Sequence, residues 1–458
     1  MKKIFTFSVA IITAFSITGC GNNVTKNTEQ TKKIFADEIV SPIADNEFNS
    51  KYTLEEMVVL SRHNIRSPLS DKDSVLGKIT PYEWFNWSSN ASELSLRGGA
   101  LETIMGQYFR KWLENENLIP ENYQPQEGEV RFYANSKQRT IATAQYFSSG
   151  MLPVANVEVE HHAEYDKMDP VFNPQLTFVS DSYSKDAIEQ IATMGGDKGL
   201  NGIGESLSGA YALAADVIDM KNSDAYKSGE VSDFKTDDLE IVLEEGKEPA
   251  LKGSLKTACS VSDALVLQFY EEDDLSKAAF GKTLTAEDWK TISSIKDTYG
   301  DVLFTAPLIA QNVAHPLLEE IKSELTTDNR KFSFLCGHDS NLGSVLAALG
   351  NEEYSLPNAV ESKTPIGSKL VFEKWINGSG EEFVSVKLVY QTVDQLRNIS
   401  LLTLDNPPMS FDILFNGIEK NADGLYSLDD FMNLLNGAID SYDEIISEYT
   451  ASELKEAA

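Results

Sequence analysis

The chain has 458 residues, with 39 Lys and Arg against 71 Asp and Glu, and its formal charge of −32 at pH 7 excludes a nucleic-acid binder that works by broad electrostatic attraction. With 41% apolar and 10% aromatic residues it can bury real cores, in about two or three domains at ~150 residues each, so disorder is excluded for most of it. Three cysteines exclude a disulfide scaffold and a four-thiolate zinc site.

Residues 1–20 do not read as part of the fold. Lys2-Lys3 is a basic start, residues 4–17 are apolar over a signal-peptide length, and Ile17-Thr18-Gly19-Cys20 is a small-residue cleavage site ending in cysteine. This is the pattern of a bacterial lipoprotein signal; an ordinary secretory signal that ends in Cys would export the chain equally. The expectation is cleavage before Cys20, lipidation of Cys20, and a polar tether over residues 21–47 that holds the protein at the cell envelope. A lipid anchor would be its one membrane contact, since no other stretch reaches the ~18 continuous apolar residues of a span.

Strand-like runs follow at 57–61, 130–134 and 157–161, and again at 331–336, 369–375 and 382–390. Between them, from about 175 to 325, apolar residues recur mostly at helical spacing, as in 207–218, 260–270 and 308–325. The order predicts an α/β core from residues 48–174 and 305–458, interrupted by a mainly helical cap at 175–304. Residues 238–247 read as a short hairpin inside that cap, and the last eighteen residues as a helix that frays.

Three of the strand ends carry chemistry. The run 57–61 leads into Arg62-His63-Asn64-Ile65-Arg66-Ser67-Pro68, which concentrates positive charge at the carboxyl edge of a sheet, where α/β folds place ligands. With eight Arg and five His in the chain, Arg-His-x-x-Arg is an improbable accident. A second strand ends in Gly337-His338-Asp339-Ser340-Asn341, with Gly337 expected to allow a sharp turn. A third closes on Asn135-Ser136-Lys137-Gln138-Arg139, ahead of a helical run whose free N–H groups and Arg139 suit an anion. Three arginines and a histidine suit a dianionic phosphoryl group. Neutral His63 could then attack phosphorus, while Asp339, protonated, donates to the departing alkoxide. Guanidinium groups supply the charge that a metal supplies elsewhere, so no metal and no cofactor is expected. The sequence has no Walker loop, no His-Glu-x-x-His and no Cys pair at ligand spacing.

Arg62-His63-x-x-Arg66-x-Pro68 with a later His338-Asp339 resembles the histidine acid phosphatase family, branch 2 of the histidine phosphatase superfamily, which includes phytases and glucose-1-phosphatases. Asn64 after the histidine, residues 134–145, Met168-Asp169-Pro170, Gly337-His338-Asp339-Ser340-Asn341 and Thr364-Pro365-Ile366-Gly367 are most similar to its bacterial glucose-1-phosphatase branch. The resemblance spans about residues 52–436. It implies a central mixed sheet flanked by helices with an inserted helical cap, His63 as phosphate acceptor, Asp339 as proton donor, and Arg62, Arg66, Arg139 and His338 as phosphate holders. Glu271 falls where the family has an acidic residue lining the pocket, and Asn64 is a second pocket candidate. The implied activity is metal-independent hydrolysis of phosphomonoesters such as glucose 1-phosphate, with inositol phosphates as the alternative. A lipoprotein that binds a phosphorylated solute without turnover is the rival from another class. The chain lacks the cysteines to reproduce the disulfides of periplasmic relatives, and Cys259 with Cys336 is the one pair left to the mature body. Glu272-Asp273-Asp274 is a further departure.

The remaining features read as structural. His161 and His162 are adjacent on a strand-like run and point to opposite faces. His315 reads as a helix-end residue, and the loop 419–430 lacks the ligand pattern of an EF-hand.

Overall fold

β1, Tyr52–Arg62, holds the run Met57-Val58-Val59-Leu60, in which every residue is fully buried. A strand buried on both faces belongs inside a sheet with cover on each side. In the computed structural model, which describes residues 38–70 and 74–456, this is its position. The strands β2 (Val130–Ala134), β5 (Phe332–Gly337), β6 (Lys369–Asn377), β7 (Glu382–Tyr390) and β8 (Met409–Asp412) join β1 in the order β2-β5-β1-β6-β7-β8, with β9 (Tyr426–Ser427) also on β7. β2, β5 and β1 run parallel and the remaining pairings are antiparallel, so the sheet is mixed, as expected.

Alternate residues of β1 feed different cores, as the two-residue period of a strand requires. Met57 and Val59 join Phe332 and Phe334 against Met105, Phe109 and Trp112 of helix α1 (Leu96–Asn115) and Phe147 of α2 (Gln138–Met151). Those helices cross closely: a Cβ on Gly106 would stand 2.1 Å from the Phe147 carbonyl, and one on Gly150 2.2 Å from that of Thr103. Val58 and Leu60 face the other way, towards residues that follow the segment 175–304.

That segment adds no strand to the large sheet. It holds the two-stranded hairpin β3 (Glu240–Val242) and β4 (Ala250–Lys252), inside the range read as a hairpin and just beyond it, and the helices α3 (Ser254–Glu271) and α4 (Ala286–Phe304). Its apolar side chains form one cluster with Ile65, Leu101, Val360, Ile366 and Val393 from outside the segment. Helix α5 (Pro307–Leu325) and α6 (Asp339–Ala348) then cover the second face of the sheet, with Leu317, Ile321, Leu342 and Val345 against Val58 and Leu60.

Three expectations change. Residues 157–161 form no strand; Glu160 makes a single bridge to Tyr133 and guards the open edge of β2. The terminal helix α7 starts early, at Leu428, and runs to Glu456. Gly337 has no left-handed backbone; what requires glycine is space, since a Cβ would stand 2.4 Å from Asn341 Oδ1. Cys259 and Cys336 are both free thiols. Asp423, in the loop 419–430, accepts from Lys51 at 2.8 Å and from Tyr52 at 3.0 Å. The leader 1–20, Cys20 and the tether up to residue 37 lie outside the described residues. No described helix is long and apolar enough to cross a membrane.

Candidate active site

Parallel pairing sets Arg62 opposite Gly337, so the next residues, His63 and His338, leave neighbouring strands at one edge. On the far side of β5, Ala134 faces Cys336, which delivers Asn135 and then Arg139 to the same edge. This is the carboxyl end of three parallel strands, the usual ligand position of such sheets. A cavity of about 810 Å³ opens there, and His63, Arg66, Arg139, His338 and Asp339 are among its lining residues.

His63 is held by its backbone on both sides. Its N–H donates to the Gly337 carbonyl and its own carbonyl accepts from Gly367 N–H, each at 3.1 Å. Ring Nδ1 lies 2.9 Å from the Asn64 carbonyl, which only accepts, so Nδ1 carries the proton and Nε2 keeps its lone pair. Burial, followed by the Arg139 and Arg66 cations, pushes His63 well below the ordinary imidazole value and keeps it neutral. A fixed, neutral imidazole with a free Nε2 is equipped to act as a nucleophile.

The tautomer of His338 follows from its neighbours. Asn135 Oδ1 accepts from the Asp169 N–H at 2.9 Å, which turns Asn135 Nδ2 towards His338 Nε2 at 2.6 Å. Nε2 therefore accepts and Nδ1–H is the donor. Arg139 Nη2 stands 3.5 Å from that Nδ1. Two donors so placed can share one acceptor oxygen. The rings of His63 and His338 meet edge to face at 5.5 Å between centroids.

The arginines differ in how they are compensated. Arg62 is 1% exposed and lies behind the lining residues, bonded to Glu361 at 2.5 Å and to the Thr364 carbonyl. Arg66 forms a two-point pair with Asp263 on α3, at 3.0 and 3.3 Å. Arg139 has no carboxylate at ion-pair distance among the described residues, and its Nε is buried without a partner. Burial and then Arg66 lower its guanidinium to about 10. It is also a cation in the first turn of α2, where the helix dipole favours an anion. A bound anion would supply the partner that Arg139 lacks.

Asp339 is the first residue of α6, after the extended His338 and with Asn341 Oδ1 accepting from the His338 N–H at 2.9 Å. Its carboxylate pairs with Lys296 of α4 and lies 3.4 Å from Arg62 Nη2. Burial pushes the carboxyl up, but Lys296 and Arg62 together outweigh burial and hold it well below the usual carboxylate range. In the free site Asp339 is therefore a carboxylate, not the protonated acid expected from sequence. A dianionic phosphoryl group beside it would raise its proton affinity.

Two expected pocket residues lie elsewhere. The Asn64 side chain points away from the cavity, donating to Glu102 at 2.7 Å, where Glu102 meets Lys369 with both side chains at 0% exposure. Its backbone carbonyl does the positioning, through His63 Nδ1. Glu271 does not line the cavity; its carboxylate accepts from Ser95, the N-cap of α1, at 2.8 Å. The α3 residues that do line it, Lys256, Cys259, Ser260 and Asp263, lie in the first ten residues of the helix. Glu271 is two turns further on, about 12 Å along the axis from Asp263. Sequence reasoning missed Lys296, Asp263, Glu361 and Asn135. Asp263 interrupts the apolar run 261–267, and a charge inside such a run is the signal that could have marked it.

Residues 53–391 match the family described as histidine phosphatase superfamily (branch 2). The chain is similar to a glucose-1-phosphatase of Providencia rettgeri, 36% identical over 408 residues, covering 88% of this chain and 96% of that protein. It is 28% identical over 402 residues to a phytase of Escherichia coli, covering 84% and 92%. Among solved structures it is similar to Hafnia alvei phytase in complex with myo-inositol hexakis sulphate, with a TM-score of 0.77 and 26% identity over 85% of this chain and 98% of that one.

Proposed function

We propose, for a chain that belongs to branch 2 of the histidine phosphatase superfamily and is a histidine-type acid phosphatase, that its substrate is a small sugar phosphate of the glucose 1-phosphate kind. The observation that carries the chemistry is His63 Nε2, left unprotonated beside Arg66, Arg139 and His338. In this reading Nε2 forms a bond to phosphorus as the ester P–O bond breaks. Arg66, Arg139 and His338 balance the charge on the remaining phosphoryl oxygens from the cavity wall, with Arg62 adding positive charge from behind them. Asp339, protonated once the phosphoryl group is beside it, gives its proton to the leaving oxygen. Water then attacks the phosphohistidine, Asp339 takes the water's proton, and His63 is released.

Charge supports the small substrate. Glu248, Asp263, Asp297, Asp301 and Glu353 also line the cavity, beside Lys256, Lys296 and Lys363, so its wall is mixed in charge, and the chain carries −32 overall. The carboxyl groups can hydrogen-bond sugar hydroxyls whether charged or not, burial favouring the neutral forms of Glu248, Asp297 and Asp301, and a wall of mixed charge is no dedicated cradle for the several outer phosphates of an inositol polyphosphate. The resemblance to a glucose-1-phosphatase at 36% identity points the same way, against 28% for a phytase. The test is kcat/KM on glucose 1-phosphate and on myo-inositol hexakisphosphate at acid pH. The expected preference for the sugar phosphate is at least about tenfold, a difference of ~1.4 kcal/mol; preference for the hexakisphosphate overturns the reading in favour of a phytase. We further propose export and lipid anchoring at Cys20. Labelled palmitate should enter the chain in bacteria and be lost in Cys20→Ser; equal labelling of the variant contradicts the anchor.

A further inference from the structure

Asp339 is surrounded by charge from several elements. Lys296 of α4 bonds its Oδ2, Arg62 at the end of β1 lies at 3.4 Å, and neutral His63 follows Arg62. Behind the cations, Glu361 takes Arg62 at 2.5 Å and stands 3.7 Å from Lys296. His338 precedes it on the chain, Arg139 of α2 and Glu248 of the β3–β4 connection act on it through space, and the uncharged Cys259 and Tyr299 complete the surround. The Lys296 side chain is 13% exposed, so its ammonium depends on Asp339 and Glu361 for compensation.

An ammonium bonded to a carboxylate opposes proton uptake by that carboxylate. It also opposes the step in which the acid form must be present, at cleavage of the ester bond. Esters of acidic oxygens suffer least, because the departing oxygen tolerates negative charge without a proton. An anomeric oxygen is such a leaving group, made more acidic than an ordinary alcohol by the neighbouring ring oxygen, and an aryl oxygen is another.

We propose that Lys296, through its ion pair with Asp339, sets the leaving-group selectivity of this phosphatase, favouring anomeric and aryl phosphates over phosphates of ordinary alcohols. The inference rests on the reading of Asp339 as proton donor and deepens the assignment of a sugar 1-phosphate substrate. In the step concerned, the Nε2 lone pair of His63 forms the N–P bond, the P–O electrons pass to the leaving oxygen, and the proton on Asp339 follows them. This regenerates the carboxylate beside Lys296. Lys296 acts on the reaction through Asp339 and is a positioning residue.

The test is kcat/KM against pH for Lys296→Met, Lys296→Gln and Lys296→Arg, using substituted phenyl phosphates of graded leaving-group acidity and one simple alkyl phosphate. The wild type is expected to show a steep dependence on leaving-group acidity. In the Met and Gln variants the dependence flattens, the alkyl ester gains about tenfold relative to the aryl esters, a modest share of the 10²–10⁴ that general acid catalysis supplies, and its alkaline limb moves to higher pH. Lys296→Arg retains the wild-type slope. Parallel losses on every ester with an unmoved limb, in whichever neutral variant folds, overturn the proposal, as does an Arg variant that behaves like the neutral ones. None of these esters contains a sugar, so a chain that fails on glucose 1-phosphate still gives a readable result here.

Discussion

Replacing Arg139 by methionine should make the ligand-free protein more stable while removing most of its activity. The guanidinium is buried at a helix N-terminus beside Arg66 and, among the described residues, has no carboxylate at ion-pair distance. Its proton affinity falls from the ordinary 12.5 to about 10, burial being the main cause and Arg66 the next. At ~1.4 kcal/mol for each tenfold change, holding the cation in the fold costs at most about 3 kcal/mol, or about 1–2 kcal/mol after discounting for partial solvent access. The sign is fixed: below pH 10 the group is charged in both folded and unfolded chains, so the penalty is present in full at any acid or neutral assay pH. Methionine keeps the apolar stem and drops the charge. In thermal denaturation without ligand the variant should melt about 2 °C higher, given the unfolding entropy of a chain this long. Inorganic phosphate should raise the wild-type midpoint by mass action and leave that of the variant nearly unmoved. Loss of one charge-assisted contact to the phosphoryl group should lower kcat/KM by about 10²–10³. A variant that melts lower than wild type and is still stabilised by phosphate would refute the reasoning.

Lys369→Met should strand the Glu102 carboxylate at 0% exposure and destabilise the fold by about 3–5 kcal/mol in denaturant titration, and adding Glu102→Gln should recover most of that loss. Glu56, 4% exposed with Oε1 unpartnered, is pushed up by burial to about 8 from 4.5. The folded chain holds that proton between pH 4.5 and 8 while the unfolded chain releases it, so stability falls as pH rises through this window. Glu56→Gln should therefore be more stable by about 1–3 kcal/mol at pH 7, with the gap closing below pH 4.5. Exhaustive chelation should leave kcat/KM on an aryl phosphate unchanged, and a loss restored by a divalent metal would reverse the charge assignment given to the arginines.

Much of the site is legible in sequence because it is built where strands end. The runs 57–61, 130–134 and 331–336 are apolar enough to be read as strands, and each hands its polar chemistry to the next few residues. Parallel register does the rest, bringing His63 and His338 side by side across 275 positions of chain. Lys296, Asp263 and Glu361 are a different matter: each is one polar residue in a helix or loop, and its importance comes from a partner 43, 197 or 299 residues away. No local period encodes such a pairing. Lys296 also changes the reading of Asp339, whose protonation state depends on what it faces. The run 157–161 alternates like a strand, yet its hydrogen bonds to β2 stop at Glu160, while β8 and β9 are too short to carry a period at all. The resemblance puts Glu271 in the pocket, and helix geometry carries it past the cavity, where it accepts from Ser95, the N-cap of α1.

The central claim is a covalent phosphoryl group on His63. A phosphomonoester labelled at phosphorus, mixed with enzyme and quenched within milliseconds in alkaline denaturant, should leave label on the chain that survives base, is released by acid and maps to His63. His63→Ala should carry none. Turnover without bound label at any quench time, or label of the same lability in the alanine variant, would contradict the account.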